Sequence, residues 1–241
     1  MRTTDGTLLD GRVPYAQPAE GFRSGIEPVL LAAAIAARPG ETALETGTGA
    51  GAALLCLTAR VAGLRAAGIE RDAALAALAA RNLAAAGQKD AYAVVADASA
   101  LPFGAVFDHA FSNPPYHGAA GTQSPDAARR AAKIADAALF PRWAAAMAGA
   151  LRHRGTLTLI LPAAALPAGM AAMAACGCAA SLLFPFWPMA GRPAKLVLLR
   201  GVKGGRSALR LPPGLTLHAP DGRFTAEADA VLRGGEALNL G

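Results

Sequence analysis

No apolar run in the chain is long enough to cross a bilayer. The Ala-rich stretches are interrupted by Arg, Gly or Pro before they reach about 20 residues. The first 22 residues, MRTTDGTLLDGRVPYAQPAEGF, lack the apolar core of a secretory signal. Cysteine is scarce: Cys56, Cys176 and Cys178 form neither a disulfide framework nor a zinc-knuckle or C-x-x-C spacing. They read as small buried hydrophobes in a reducing, cytoplasmic compartment. No repeat period occurs, and no linker is long enough to announce a second domain. What remains is one domain over 241 residues, with 54% hydrophobic residues to build its core.

Alternation of strand and helix is the dominant pattern. Glu27-Pro28 opens a helix after an N-terminal arm that ends near Gly25, and the helix stops at Arg38-Pro39-Gly40. Strands are expected at 42–46, 64–70, 91–96 and 106–112, with helices between the first three. A long helical stretch crosses Trp143, and a strand starts at Gly155. Such alternation predicts a doubly wound α/β fold with a mostly parallel, seven-stranded sheet. The last two strands, AASLLFPFW and KLVLLR, are too close for a helical crossover, so they form a hairpin and one runs antiparallel. The divisions are 1–40 for arm and first helix, 41–201 for the core, and 202–241 for a basic C-terminal extension.

The first strand runs into Glu45-Thr46-Gly47-Thr48-Gly49-Ala50-Gly51. Glycines here let the backbone turn tightly and let a ligand approach the next helix N-terminus. Gly47, Gly49 and Ala52 also fit the dinucleotide pattern G-x-G-x-x-A. Glu70 ends the second strand, where its carboxylate would accept from ribose hydroxyls; the alternative is a strand-end charge paired with Arg71. Asp97 ends the third strand, as an acceptor for an adenine amine or as a turn aspartate. Three acids along one edge disfavour a pyrophosphate and suit the sulfonium of S-adenosylmethionine. Glu45 then serves the methionine end or holds the turn.

The fourth strand ends in Ser112-Asn113-Pro114-Pro115-Tyr116. Each proline restricts the residue before it, so the Asn113 amide oxygen and the Pro114 carbonyl are aimed by a stiff backbone. Two fixed acceptors match the two hydrogens of a planar exocyclic amine. Tyr116 would stack on its ring. Asn113, Pro114, Pro115 and Tyr116 are therefore the candidate catalytic group, acting by alignment with no metal.

E-T-G-T-G-A-G, Glu70, Asp97 and N-P-P-Y resemble the class I S-adenosylmethionine-dependent amino-methyltransferases. Three further segments are similar to the bacterial tRNA1(Val) adenine-37 N6-methyltransferase family. They are Gln17-Pro18 with 21–31 (GFRSGIEPVLL), Trp187-Pro188 with 191–195 (GRPAK), and 221–225 (DGRFT). Members usually carry Asp where Glu27 and Glu45 stand. The resemblance implies a Rossmann-like methyltransferase fold and a segment around Arg23 and Gly25 folded over the cofactor. Implied cofactor contacts are Arg23, Gly25, Glu45, Thr46, Gly47, Gly49, Gly51, Glu70, Arg71, Asp97, Ala98 and Asn113. The implied product is S-adenosylhomocysteine.

The net charge of +6 and a pI near 9.7 favour a polyanionic partner. The expected reaction is N6 methylation of an RNA adenine in a tRNA anticodon loop, where a base is cheap to splay out. Arg129, Arg130, Lys133, Arg192, Lys195, Lys203, Arg206 and Arg210 are candidate phosphate contacts. A protein glutamine amide, also planar with two hydrogens, is the alternative substrate. A dinucleotide dehydrogenase and a non-catalytic cofactor-binding module are the remaining readings.

Overall fold

In the computed structural model, which describes residues 1–20, 24–114 and 140–241, the N-terminal arm is a β-hairpin. Strands β1 (Thr3–Leu8) and β2 (Val13–Pro18) pair antiparallel. Three successive left-handed residues close the turn: Leu9 (φ 52°), Asp10 (φ 55°) and Gly11 (φ 89°). An Asp-Gly pair tolerates this conformation at little cost, which is why the chain reverses here.

Helix α1 (Glu27–Ala34) follows, with every residue from Pro28 to Ala34 buried. Burial on all sides leaves its last carbonyls without water, so they need donors from the protein. Arg60 donates from Nη2 to the oxygens of Ala32 (2.9 Å) and Ile35 (2.5 Å). Arg200 donates to Ala34 O, and Leu238 N to Ala33 O at 2.9 Å. Two cations at a helix C-terminus also oppose its dipole. Burial lowers the pKa of both arginines, that of Arg200 to about 10.

The remaining elements are β3 (Thr42–Thr46), α2 (Ala52–Arg60), β4 (Arg65–Glu70), α3 (Ala73–Ala85), β5 (Ala91–Val95) and β6 (Phe107–Ser112). Helix α4, described over 140–150, then leads to β7 (Leu151–Pro162), α5 (Leu166–Ala175), β8 (Cys178–Met189), β9 (Leu196–Lys203), β10 (Leu215–His218) and α6 (Ala226–Leu232). The sheet order is β10-β8-β9-β7-β6-β3-β4-β5. All pairings are parallel except those of β9, which is antiparallel to both β7 and β8. The sheet is therefore the expected doubly wound one. It carries an eighth strand, β10, which the C-terminal extension adds at the edge beside β8.

One core packs α1, α2, α3, α6 and β2 on one face of the sheet; the other packs α4 and α5 on the opposite face. Leu54, Leu55 and Leu57 of α2 are fully buried, each worth about 1.5–3 kcal/mol in transfer terms. All three cysteines are free thiols; Cys56 and Cys178 are buried and Cys176 is half-buried. Among the described residues no helix is long and apolar enough to cross a membrane.

Candidate active site

The strand order reverses at β3, which has β4 on one side and β6 on the other. In doubly wound sheets the crevice at such a reversal, beyond the carboxyl ends of the strands, is where ligands bind. Thr46 is in register with Ile69 of β4 and Ser112 of β6. The glycine turn, Glu70 and Asn113 therefore leave the sheet at one level, side by side.

The turn is held by its neighbours. Gly47 N and Thr48 N both donate to Ile69 O, at 2.8 and 3.0 Å. Gly49 N donates to Glu70 Oε2 and Asp72 N to Glu70 Oε1, each at 3.0 Å. Glu70 thus clamps the turn to the end of β4, while each of its oxygens keeps a lone pair for a further donor. No ion pair joins Glu70 to Arg71 among the described residues. Gly47 (φ 70°), Gly49 (φ 56°) and Gly51 (φ 90°) all adopt left-handed backbone. A Cβ at Gly47 would lie 3.2 Å from the Trp143 ring of α4, whereas one at Gly49 would meet no atom within 4 Å. The turn is walled at Gly47 and open at Gly49.

Glu45 lies beneath the turn, 4% exposed. Thr48 Oγ1 donates to its Oε2 at 2.6 Å, and the Leu54 N–H in the first turn of α2 also reaches it. Burial pushes its pKa up to about 8, against the pull of those two donors; Glu70 raises it further. From sequence, Glu45 is expected either to offer a negative charge to the methionine end of the ligand or to hold the turn, and its bond from Thr48 serves the second role. Burial favours its neutral form, because desolvation outweighs the hydrogen bonds.

On β6, Ser112 Oγ donates to Thr46 O at 2.8 Å and locks the two strand ends together. Asn113 and Pro114 follow beyond it, and no hydrogen bond from the described residues engages the Asn113 side chain. Asp97 is exposed and accepts from Ser99 N (2.7 Å) and Ser99 Oγ (2.8 Å). These bonds, then nearby Arg142 and Arg71, hold its carboxyl below the usual range. It thus forms a turn at the end of β5, with one oxygen engaged and buried Ala98 beside it. Arg23, Pro115, Tyr116, His117, Arg129, Arg130 and Lys133 lie outside the described residues.

Three contributors escape sequence inspection. Asn82 of α3 accepts from Ala16 N (3.0 Å) and donates to Ala16 O and Ala50 O (2.8 Å each), pinning the N-terminal hairpin to the glycine turn. Tyr15 of β2 is buried near Glu45, and its hydroxyl is hydrogen-bonded to Ser24 Oγ at 2.8 Å, just before exposed Gly25. Burial raises its pKa. Trp143 flanks Gly47. An Asp10-Gly11 pair, which favours a hairpin turn, is the sequence signal that could have placed Tyr15 on a strand.

The candidate phosphate contacts divide. Arg192 and Lys195 are exposed at the β8–β9 tip, on the carboxyl edge. Lys203 ends β9 at the opposite edge, opposite Cys178, with its Nζ donating to Leu151 O at 2.6 Å. Arg210 Nη1 donates to Gly241 O at 2.7 Å. Both are tied into the fold, Lys203 to the carbonyl that starts β7 and Arg210 to that of the C-terminal residue.

No protein-family model and no curated protein sequence matches the chain. The fold is shared with many solved structures. A predicted O-methyltransferase from Agrobacterium tumefaciens is 22% identical over 88% of this chain and 98% of its own, with a TM-score of 0.72. A TehB-like SAM-dependent methyltransferase from Corynebacterium glutamicum is 18% identical, covers 76% of this chain and 90% of its own, and has a TM-score of 0.51. For a SAM-dependent methyltransferase from Aquifex aeolicus the figures are 12%, 69%, 84% and 0.51. The architecture is therefore the Rossmann-like methyltransferase fold.

Proposed function

We propose that this chain methylates N6 of an adenine in RNA, in a tRNA anticodon loop, with S-adenosylmethionine as donor. The observation that carries the reading is the register of three strand ends: Asn113-Pro114 leaves β6 beside the turn that leaves β3 and across from Glu70 on β4. The fold it shares with methyltransferases supports the donor, and so do the residues present. Gly49 opens onto free space, Glu70 keeps acceptor capacity, and Glu45 is a buried acid under the turn.

Bound there, S-adenosylmethionine supplies an electrophilic methyl group on a positively charged sulfur. The protein's part is alignment. Glu70 would hold the ribose and Asp97, through its second oxygen, the adenosine amine. The Asn113 amide oxygen and the Pro114 carbonyl accept the two N6 hydrogens of the target base. This draws the amine out of conjugation and restores its lone pair. The N6 lone pair would take the methyl group as its bond to sulfur breaks, the donor leaving as the neutral thioether S-adenosylhomocysteine and one N6 proton passing to water. Neither a metal nor a covalent enzyme intermediate is required.

The test is to incubate the protein with labelled donor and bulk tRNA, then identify modified nucleosides by mass spectrometry. N6-methyladenosine is expected. Label on a protein glutamine with tRNA untouched would replace the RNA reading by amide methylation. Label on guanine or ribose would overturn it.

A further inference from the structure

The C-terminal extension builds a second concave site, separate from the glycine turn. A cavity of about 320 Å³ is lined by His218, Gly222, Arg223, Phe224, Asp229 and Arg233. The His218 and Phe224 rings are stacked, with centroids 4.9 Å and planes 28° apart. The Arg233 guanidinium lies 5.9 Å from the Phe224 centroid. His218 is itself held through Nδ1 at 3.1 Å from Pro188 O. Planar groups are thus locked in the wall, the kind of surface on which nucleobases stack.

Both arginines are anchored and neither is saturated. Arg223 gives Nε and Nη2 to Asp221 Oδ2, at 2.8 and 2.7 Å. Arg233 Nη1 forms an ion pair with Asp229 Oδ1 at 3.2 Å. A guanidinium has five N–H donors, so each keeps several for an outside acceptor. The carboxylates order the side chains in advance, which suits a phosphate oxygen better than a freely rotating charge does.

Position gives the cavity its meaning. His218 ends β10 in register with Met189 at the end of β8, and β8 runs parallel to β6. The cavity and Asn113 therefore open on the same carboxyl edge. Four strand spacings separate β6 from β10, about 19 Å. Between them the edge carries Lys195, whose carbonyl accepts from Ala163 N, and then Arg192 at the β8–β9 tip. Both are exposed, and no ion pair engages either among the described residues. Anchored cations and stacked planes at the far end of a row of free cations match a polyanionic strand with bases, not an isolated amide.

We propose that this cavity is an RNA subsite. It takes one nucleotide of the substrate strand a few positions from the target base, with its base on the His218–Arg233 wall and its phosphate on Arg223 and Arg233. The strand reaches Asn113 over Arg192 and Lys195. This rests on the RNA reading above and extends it to residues which that reading does not require.

The experiment compares the full chain with Arg223→Ala/Arg233→Ala and with Arg223→Glu, whose wild-type side chain is 87% exposed. Fluorescent bulk tRNA is the binding probe across a salt series, and labelled donor reports KM and kcat. Adenosine monophosphate is titrated in parallel. The double variant should bind tRNA about five- to tenfold more weakly, with a salt slope shallower by about one to two. The loss should fall on KM for tRNA rather than on kcat, at an unchanged thermal midpoint. If wild type methylates tRNA and both variants match it in binding and KM, the subsite is refuted and the RNA reading stands. If wild type neither binds nor methylates tRNA, both fall. Variants that lose adenosine monophosphate binding but keep full tRNA affinity would make the cavity a free-nucleotide site and overturn the proposal.

Discussion

Glu45→Gln tests the electrostatics beneath the glycine turn most directly. The carboxyl titrates at 4.5 in its ordinary state and at about 8 in the folded protein, because burial outweighs the Thr48 and Leu54 donors. The folded state therefore holds a proton that the unfolded state loses between these values. Glu45 burdens folding least below pH 4.5, and stability declines as pH rises from there to about 8. Once the folded acid ionises too, the decline stops. At 1.36 kcal/mol per decade, the gap corresponds to about 5 kcal/mol. Gln carries no titrating proton and keeps an oxygen for Thr48. Other titrating groups, such as Asp97 and Asp108 with their lowered pKa values, are common to both proteins and cancel in the comparison. Urea unfolding at half-unit steps from pH 4.5 to 8.5 should show wild type losing several kcal/mol relative to the variant. Parallel curves for the two proteins would show that Glu45 is ionised in the fold, and the desolvation argument would fail.

Four further outcomes follow from the geometry. Binding of the cationic donor should draw the Glu45 pKa down and release a proton at pH 7, while the neutral thioether product releases less; calorimetry in two buffers of different ionisation enthalpy reads this. Asn113→Ala should lower kcat about 10²–10³-fold, the loss typical of removing one group that positions a reacting atom, with donor affinity retained in calorimetry. Asn82→Ala strands Ala16 N, Ala16 O and Ala50 O; a loss of about 2–4 kcal/mol in urea unfolding is expected, with weaker donor binding. Arg60→Met takes the guanidinium from the Ile35 carbonyl at the buried end of α1, and from the Ala32 carbonyl, which keeps Ile35 N at 3.2 Å; it should cost about 1–3 kcal/mol by the same measurement.

Local pattern sufficed for much of the core. The 42–46 strand, the Asp72 cap of α3 and the Thr225 cap of α6 all stand where short-range rules place them, since a cap or a strand boundary depends on neighbours a few residues away. The glycine turn and the stiff Asn113-Pro114 were visible for the same reason: backbone conformations that demand Gly or Pro leave their mark in composition. The alternation of elements even implied which strand ends would meet, because parallel crossovers return every strand to the same edge.

What lies far apart in the chain left no such mark. The charge of Glu45 depends on how completely α2, β2 and the turn exclude water around it, a property no neighbour in sequence records. Asn82 looks like any polar residue on a helix until the N-terminal hairpin packs across it. Lys203 and Arg192 carry the same charge, yet the antiparallel run of β9 sends one to the far edge and keeps the other at the near one. Residue type dictated the chemistry each side chain is capable of; the folded packing, by setting dielectric, partners and edge, chose which of it is expressed.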